Sequence, residues 1–463
     1  VNYPLKQATS RRRFLQVSAT GVAAGVTAGL LPRGRIHAAP VNGKLQHACI
    51  GVGGIGNHDR KRLTTHPKLE VVAICDVDHH NLAEAAKDYP AARRYADWRE
   101  LLATEGDRID SVNVSVPDHM HAAITMTALR ARKHVYCQKP LCHNVTEVRA
   151  VTHAAKESGV VTQLGTQGAS EMGDRMAVQL LKQGVIGKVK KVYLCSNRPG
   201  AIESYRLKGP RPTTGETPPD DLDWDLWIGA APLRPYAPAI YHPVTWRAWQ
   251  DFGTGWSGDM GCHIFDPVWK GLGLVSPNRV VARVQQSWKD DPERRVDTWP
   301  QSDHITWTFP GNEMTAGDEL VLEWHDGNFF SPREVRKIIE RDDFPTEGSL
   351  VLGTEGALLL PQGEQPELFP SKKFKDHPRP KLPPRDHYHH YIDACLGGEM
   401  TESYFAQTGP MTEAILLGTV AIRTPDVPLQ WNSARMEIPN YPEAEKYLRR
   451  TYRTGWQVAG LDF

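Results

Sequence analysis

Short apolar runs alternate with amphipathic stretches through the first third of the chain. That alternation predicts a parallel sheet wound on both sides by helices. Residues 45–50, 71–75, 110–116, 134–137 and 160–165 read as strands. Between them, 81–87, 98–104, 119–130 and the stretch from a cap at Asn144 to Lys156 read as helices. The strands are nearly continuous apolar runs, as expected where both faces of a sheet are covered. After a helix over 172–183 that stops at Gly184, the pattern changes. Residues 188–196, 279–288, 304–309, 320–324, 349–353 and 357–361 predict an open, largely antiparallel sheet. Helices follow over 386–396 and 412–423, with a basic, proline-rich surface loop over 370–385 and an ordered tail over 441–456.

The stretch 197–258 is long, irregular and rich in proline and glycine, a length that in a compact domain usually marks function. It holds Trp224, Trp227, Trp246, Trp249 and Trp256. Flat rings there could stack on the C–H faces of a sugar or pack an irregular segment. Packing is the stronger reading for any one of them.

The first strand, at 45–50, runs into Gly51-Val-Gly53-Gly54-Ile55-Gly56, and the next strand ends in Asp76. Strand, G-x-G-x-x-G turn, helix, strand and acid make up a dinucleotide-binding unit. Gly51 permits the turn, Gly53 lets backbone approach a pyrophosphate, and Gly56 lets the helix pack on the strand. The helix start then faces the phosphates. Asp76 is placed to accept both ribose hydroxyls of NAD and to repel the 2′-phosphate of NADP. Only Arg60 or Arg62, turned towards the ribose, could offset that repulsion. NAD is therefore expected, with NADP as the alternative.

Two further groups could carry chemistry. Gln138-Lys139-Pro140 ends a strand of the parallel sheet, at the carboxyl edge where ligands sit. A lysine there can hold a substrate hydroxyl and stabilise alkoxide character as hydride leaves. Asp259 and His263 stand four apart on a helix opened by Gly258, with Asp266 three further on. The histidine is a candidate general base, and Asp266 could orient it. A helix-start carboxylate beside a satisfied core histidine is the competing reading.

In sequence order, these segments resemble the glucose-fructose oxidoreductase/inositol dehydrogenase (Gfo/Idh/MocA) family over nearly all of residues 45–430. The nucleotide loop matches. Pro117-Asp118-His119-Met-His121 looks like the end of the family's T-P-N-x-x-H, and Lys133 through Leu141 like its G-K-H-V-x-x-E-K-P. Gly184-Val-Ile-Gly187-Lys-Val looks like its G-x-I-G-x-V, and Asp259 through His263 like its D-x-x-x-H. The resemblance implies a Rossmann domain followed by an α+β domain. Lys139, Asp259 and His263 then fall at catalytic positions. Gly51, Gly53, Gly54, Ile55, Gly56, Asp76, Pro117, Asp118, His121, Lys139 and Gln167 fall at cofactor-facing ones. Trp246, Arg247 and Asp266 are the substrate-side candidates. Two departures stand out. Gln138 replaces the usual glutamate, removing a charge partner that could tune Lys139. Asp118 replaces the common asparagine.

The domains expected are a signal at 1–38, a nucleotide-binding domain at 39–165, a substrate and oligomerisation domain at 166–440, and a tail at 441–463. Ser10-Arg-Arg-Arg-Phe14-Leu15 reads as a bacterial twin-arginine export signal, with cleavage near Ala38. Periplasmic export would demand a tightly bound cofactor, reset within each catalytic cycle. The formal charge of +1 leaves no electrostatic footprint for nucleic acid, and no apolar run is long enough to span a membrane. Seven cysteines without a C-x-x-C allow one disulfide but assign none. No metal-ligand spacing appears, so no metal is expected. The reading is an exported NAD(P)-dependent oxidoreductase of a sugar, sugar acid or polyol. A homo-oligomer is expected, with the export machinery as a partner. The rivals are an NAD-dependent glycosidase working through a transient keto-sugar and a non-catalytic sugar-binding protein.

Overall fold

The computed structural model describes residues 43–198, 210–327 and 329–461. The expected export signal at 1–38 lies outside them. The described residues form one compact unit. No helix among the described residues is long and apolar enough to cross a membrane.

The first half is a six-stranded parallel sheet in the order β3-β2-β1-β4-β5-β6. Its strands are β1 (Leu45–Ile50), β2 (Leu69–Cys75), β3 (Arg93–Tyr95), β4 (Ser111–Val114), β5 (His134–Cys137) and β6 (Thr162–Leu164). Helices α1 (Gly54–Leu63), α2 (His79–Asp88), α3 (Trp98–Glu105), α4 (Asp118–Arg130) and α5 (Val145–Ser158) connect them. Every residue of β4 and β5 is buried, the polar Ser111, Asn113 and His134 included, as expected of central strands covered on both faces. The predicted cap holds: the Asn144 side chain accepts from the Glu147 amide at 3.0 Å, and Gly159 closes α5 at a φ of 65°. The strand order reverses between β1 and β4, and the glycine turn and the β4 and β5 ends gather at that crevice.

After α6 (Met172–Lys182), an eight-stranded mixed sheet follows in the order β13-β12-β11-β7-β10-β9-β8-β14. Its central pair, β7 (Val189–Ser196) and β10 (Glu319–Asp326), is parallel. The other pairings, through β8 (Arg279–Val284), β9 (Asp303–Pro310), β11 (Glu347–Gly353), β12 (Ala357–Pro361), β13 (Glu367–Phe369) and β14 (Leu429–Gln430), are antiparallel. Helices Gly255–Leu272 and Phe405–Arg423 pack against this sheet, and the second also packs on α5. Residues beyond 441 pack back on the nucleotide half. Tyr452 OH donates to Glu147 at 2.8 Å, and Leu448, Tyr452 and Trp456 are buried.

The sequence reading missed β3, β13 and β14 and a short helix, Ser371–Phe374, in the loop expected over 370–385, and three larger boundaries also differ. The stretch 197–258 is not wholly irregular. It contains a helix at Trp224–Ile228 and a 3-10 turn at Thr245–Ala248, and the following helix begins at Gly255; residues 199–209 lie outside the described ones. The strand expected over 279–288 ends at Val284, and Trp288 sits on a short helix, Gln286–Lys289. The helix expected from Thr412 starts at Phe405, with Pro410 inside it. Gly409-Pro410 reads as a breaker by propensity, but close packing overrides it. A Cβ on Gly409 would stand 2.0 Å from Thr152 Oγ1 of α5, so glycine lets the two helices meet. All seven cysteines are buried thiols, and none forms a disulfide.

Candidate active site

The glycine turn has the geometry of a phosphate cradle. Gly51 adopts a φ of 82°, and a Cβ there would lie 2.3 Å from the Ser115 carbonyl oxygen. A Cβ on Gly56 would lie 2.1 Å from the Gly51 carbonyl, so α1 can approach β1 this closely only with glycine. A Cβ on Gly53 would run into the Asn81 amide at 2.3 Å. No side chain caps α1, and its first intrahelical bond runs from the Asn57 amide to the Gly53 carbonyl. The amides of Gly54, Ile55 and Gly56 precede that bond and are the ones a helix start offers to an anion.

Asp76 closes the other side of the turn. Its carboxylate accepts from the amides of Val52 at 2.8 Å, Gly53 at 3.2 Å and Asp78 at 2.9 Å. Arg60 pairs with Asp88 at 2.5 Å, and Arg62 pairs with Asp386 at 2.5 Å. Both candidate partners for a 2′-phosphate are thus held by other acids.

Lys139, at the end of β5, reaches across to the helix Gly255–Leu272. Its Nζ donates to Asp259 Oδ1 at 2.7 Å and to the Asp259 carbonyl at 3.0 Å. Arg247 Nε lies 3.7 Å from the same carboxylate oxygen. Burial alone would raise the Asp259 carboxyl, but Lys139 and Arg247 outweigh it and hold it at about 2. His263, one turn along the same face, is pushed down to about 3, by burial first and then by the Lys139 charge, with Asp259 opposing. It is therefore neutral at pH 7, the form that accepts a proton. A cation, an anion and a neutral imidazole stand together where the two halves meet.

Asp118 joins this cluster rather than facing only the nucleotide. It opens α4, after Pro117 at the N-cap, and its Oδ2 accepts from the Thr254 amide at 3.2 Å and the Thr254 hydroxyl at 2.9 Å. Burial and the charge of Asp259 push its carboxyl up to about 7, against Arg247, Thr254 and Lys139. Thr254 is the N-cap of the Asp259 helix, so Asp118 holds that helix start against the sheet edge. No motif pointed to Thr254.

Other candidates have partners within the chain. The two ring nitrogens of His121 lie 2.7 Å from the Pro140 carbonyl and 2.8 Å from the Val116 carbonyl. Carbonyls only accept, so this arrangement favours the protonated ring, which can donate from both nitrogens. Burial opposes that charge, but Cys137 and the two carbonyls prevail and its pKa is raised. The ring ties the ends of β4 and β5 together. Asp266 does not orient His263. Its Oδ2 accepts from Lys270 Nζ at 2.6 Å, the i,i+4 cation on its own helix. The five tryptophans of the long connection are buried, with Trp224 and Trp227 stacked 4.8 Å apart, which favours packing. One face of Trp246 carries the Arg247 guanidinium, 4.3 Å from the ring centroid.

The glutamine at 138 has a partner of its own. Its Nε2 donates to both oxygens of Asp59, at 3.0 and 2.9 Å, and its Oε1 accepts from the Lys139 amide at 3.3 Å. Asp59 is fully buried on α1 and also accepts from Ser115 Oγ at 2.7 Å and Tyr388 OH at 2.9 Å. Gln167 reaches the same group, its Nε2 donating to Tyr388 OH at 3.4 Å. Neither Asp59 nor Tyr388 carried a sequence signal, because they lie 329 positions apart. Nor is the chain without metal-type ligands. His304, Glu323 and His325 converge on the mixed sheet, unseen in linear spacing because they come from two strands.

Residues 45–166 match the family model described as "Oxidoreductase family, NAD-binding Rossmann fold", and residues 173–314 match that family's C-terminal alpha/beta domain. The chain belongs to this Gfo/Idh/MocA oxidoreductase family. Levoglucosan dehydrogenase of Pseudarthrobacter phenanthrenivorans is 28% identical over 303 residues, 64% of this chain and 66% of that protein. Inositol 2-dehydrogenase of Salmonella typhimurium is 29% identical over 166 residues, 35% of this chain and 48% of that protein. The chain thus matches just under two thirds of the first relative's length and about half of the second's. Two solved structures show the same fold. An inositol dehydrogenase homolog from Azotobacter vinelandii, complexed with NADH and myo-inositol, has a TM-score of 0.56 at 16% identity, covering 84% of this chain and 98% of that one. The WlbA dehydrogenase from Bordetella pertussis, complexed with NADH and UDP-GlcNAcA, has a TM-score of 0.57 at 15% identity, covering 84% and 99%. The cradle at Gly51–Gly56, the uncapped α1 and Asp76 fit the NAD that the family's Rossmann domain binds.

Proposed function

We propose that the protein oxidises a secondary alcohol of a sugar, sugar acid or polyol, with NAD bound at the Gly51–Gly56 turn. One observation carries the reading: the Lys139–Asp259 ion pair beside a neutral His263, spanning the two halves at the sheet's carboxyl edge. When bound, NAD supplies a hydride acceptor. His263 takes the hydroxyl proton, as a neutral imidazole can at physiological pH. Lys139 holds the same oxygen and stabilises its developing charge, while Asp259 keeps the ammonium aimed and accepts from a neighbouring hydroxyl. Asp76 selects NAD over NADP, since Arg60 and Arg62 are engaged elsewhere. The named substrates of the relatives, levoglucosan and inositol, support a carbohydrate or polyol.

The test has two parts. Denaturing the purified protein and identifying any released nucleotide checks the cofactor, and NADP would overturn the Asp76 argument. Screening the intact protein with NAD against levoglucosan, myo-inositol and a sugar panel, by nicotinamide fluorescence, checks the reaction. His263→Asn is expected to lower kcat by roughly a hundredfold to ten-thousandfold with nucleotide still bound. Turnover at the unmutated rate would refute the base assignment. Cleavage of a glycoside with no net change in NADH would instead indicate the redox-neutral reaction.

A further inference from the structure

We propose that His304, Glu323 and His325 bind a zinc-class divalent metal ion on the face of the mixed sheet that turns away from the helix Gly255–Leu272. β9 and β10 pair with His304 opposite His325 and Thr306 opposite Glu323. Strand alternation puts these side chains on one face. Their neighbours Ile305 and Trp324 point to the other, into the core, and Trp307 on that face meets Phe265 of the helix. The site is thus separated by the sheet from Lys139 and His263.

The three groups stand close without hydrogen-bonding one another. The two imidazole rings stack with centroids 4.4 Å apart and planes 14° from parallel, so one ring must turn out of the stack for both to aim an in-plane lone pair at one ion. Glu323 Oε2 lies 3.8 Å from His304 Nε2 and 3.7 Å from His325 Nε2, too far for a hydrogen bond to either. Among the described residues, His304 Nε2 is buried without a partner, a cost that a protein normally avoids. The other carboxylate oxygen, Oε1, sits 2.7 Å from Lys191 Nζ. That contact fixes the carboxylate with Oε2 turned to the rings.

One ligand atom from each residue lies within 4.8 Å of the others. Around a tetrahedral ion with bonds of about 2.0–2.1 Å, ligand atoms stand about 3.3–3.4 Å apart. The two measured edges therefore need to close by only about 0.4 Å, within reach of a side-chain rotation. Two imidazoles and one carboxylate suit zinc-class ions, with a further position left for water. Calcium and magnesium prefer all-oxygen sets. The ion would bind the β9–β10 pair across its register. Lys191 opposes it by charge, because its ammonium beside the same carboxylate repels a second cation.

The experiment uses the metal-free, untagged full chain, titrated with zinc chloride and followed by bound-metal analysis and thermal unfolding. One equivalent of zinc and a raised unfolding midpoint are expected. Glu323→Gln and His304→Ala should each weaken binding by about tenfold or more, and Lys191→Met should strengthen it by about tenfold. The gain in Lys191→Met guards against misfolding, which cannot tighten a site. Absence of saturable zinc binding would overturn the proposal. So would undiminished binding in the His304→Ala/Glu323→Gln double variant, which would place the ion elsewhere, for example at the His387–His390 run.

Discussion

Replacing Lys139 with methionine tests the charge balance of the site directly. In the intact protein the Asp259 carboxyl is held at about 2, against 3.8 for a free side chain. That depression contributes on the order of 2 kcal/mol of folding stability at neutral pH. The folded value lies below the unfolded one, so this stability is present above about pH 4 and is lost as pH falls towards 2. Methionine keeps the stem and removes the charge. Asp259 then retains Arg247 at 3.7 Å, while its burial is unchanged. Burial then wins, and the carboxyl moves above 3.8. Removing one partner of a buried pair costs about 3–5 kcal/mol. The variant should therefore be less stable at pH 7 by about that amount. The gap should narrow as pH falls from 7 to 4, because Asp259 can take up a proton and shed its unpaired charge. Urea unfolding, followed by tryptophan fluorescence at intervals from pH 4 to 8, measures both curves, and equal slopes confirm that the same surface is exposed. A difference at pH 7 below about 1 kcal/mol, or one that stays constant from pH 4 to 7, would falsify the reasoning.

Asp118→Asn should stabilise the protein at pH 8 by up to about 4 kcal/mol, since Asp118 has its folded pKa raised to about 7 and loses stability as pH rises through that value; the gain should vanish near pH 4, and pH-dependent unfolding checks both ends. Gln138→Glu should destabilise by roughly 1–3 kcal/mol at pH 7, because it sets a second carboxyl against Asp59, and adding Asp59→Asn should restore most of the loss in a double-mutant cycle. Arg11→Lys with Arg12→Lys should leave the protein in the cytoplasm, if residues 10–15 are a twin-arginine signal; fractionation with unchanged periplasmic yield would refute that reading.

Most of the parallel sheet was legible because its strands carry short apolar blocks and its turns carry their own chemistry; β3, Arg93-Arg94-Tyr95, has no such block and was not expected. The Gly51–Gly56 spacing, the Asn144 cap and Gly159 all act within a few residues, where sequence and structure are in register. The mixed sheet was legible as strands but not as an order, since β7 lies between β10 and β11 and those pairings span more than a hundred positions. The same limit governs the site. Lys139 and Asp259 stood out because each sits in a local pattern. Thr254, Asp59 and Tyr388 did not, because each acts only through a partner remote in sequence. Asp266 misled because two possible partners, His263 and Lys270, share its helix face, and the longer, charged side chain takes the contact.

The substitution of glutamine at 138 shows how the site keeps its charge count. A glutamate there would face the buried Asp59, and two carboxylates so close cannot both ionise. They would share a proton, or one would seek the nearest cation, which is the Lys139 next in the chain. Glutamine removes that competition. Its amide donates to Asp59, its carbonyl accepts from the Lys139 backbone, and the lysine ammonium is left to Asp259 alone. The ion pair that spans the two halves therefore depends on a residue that carries no charge. On the proposed function, a substrate hydroxyl must draw Lys139 partly away from Asp259. The bond it displaces first is the longer one, to the Asp259 carbonyl oxygen at 3.0 Å, because the 2.7 Å carboxylate contact is charge-assisted. The lysine can then hold the substrate oxygen and Asp259 together, and His263 receives the proton while still neutral.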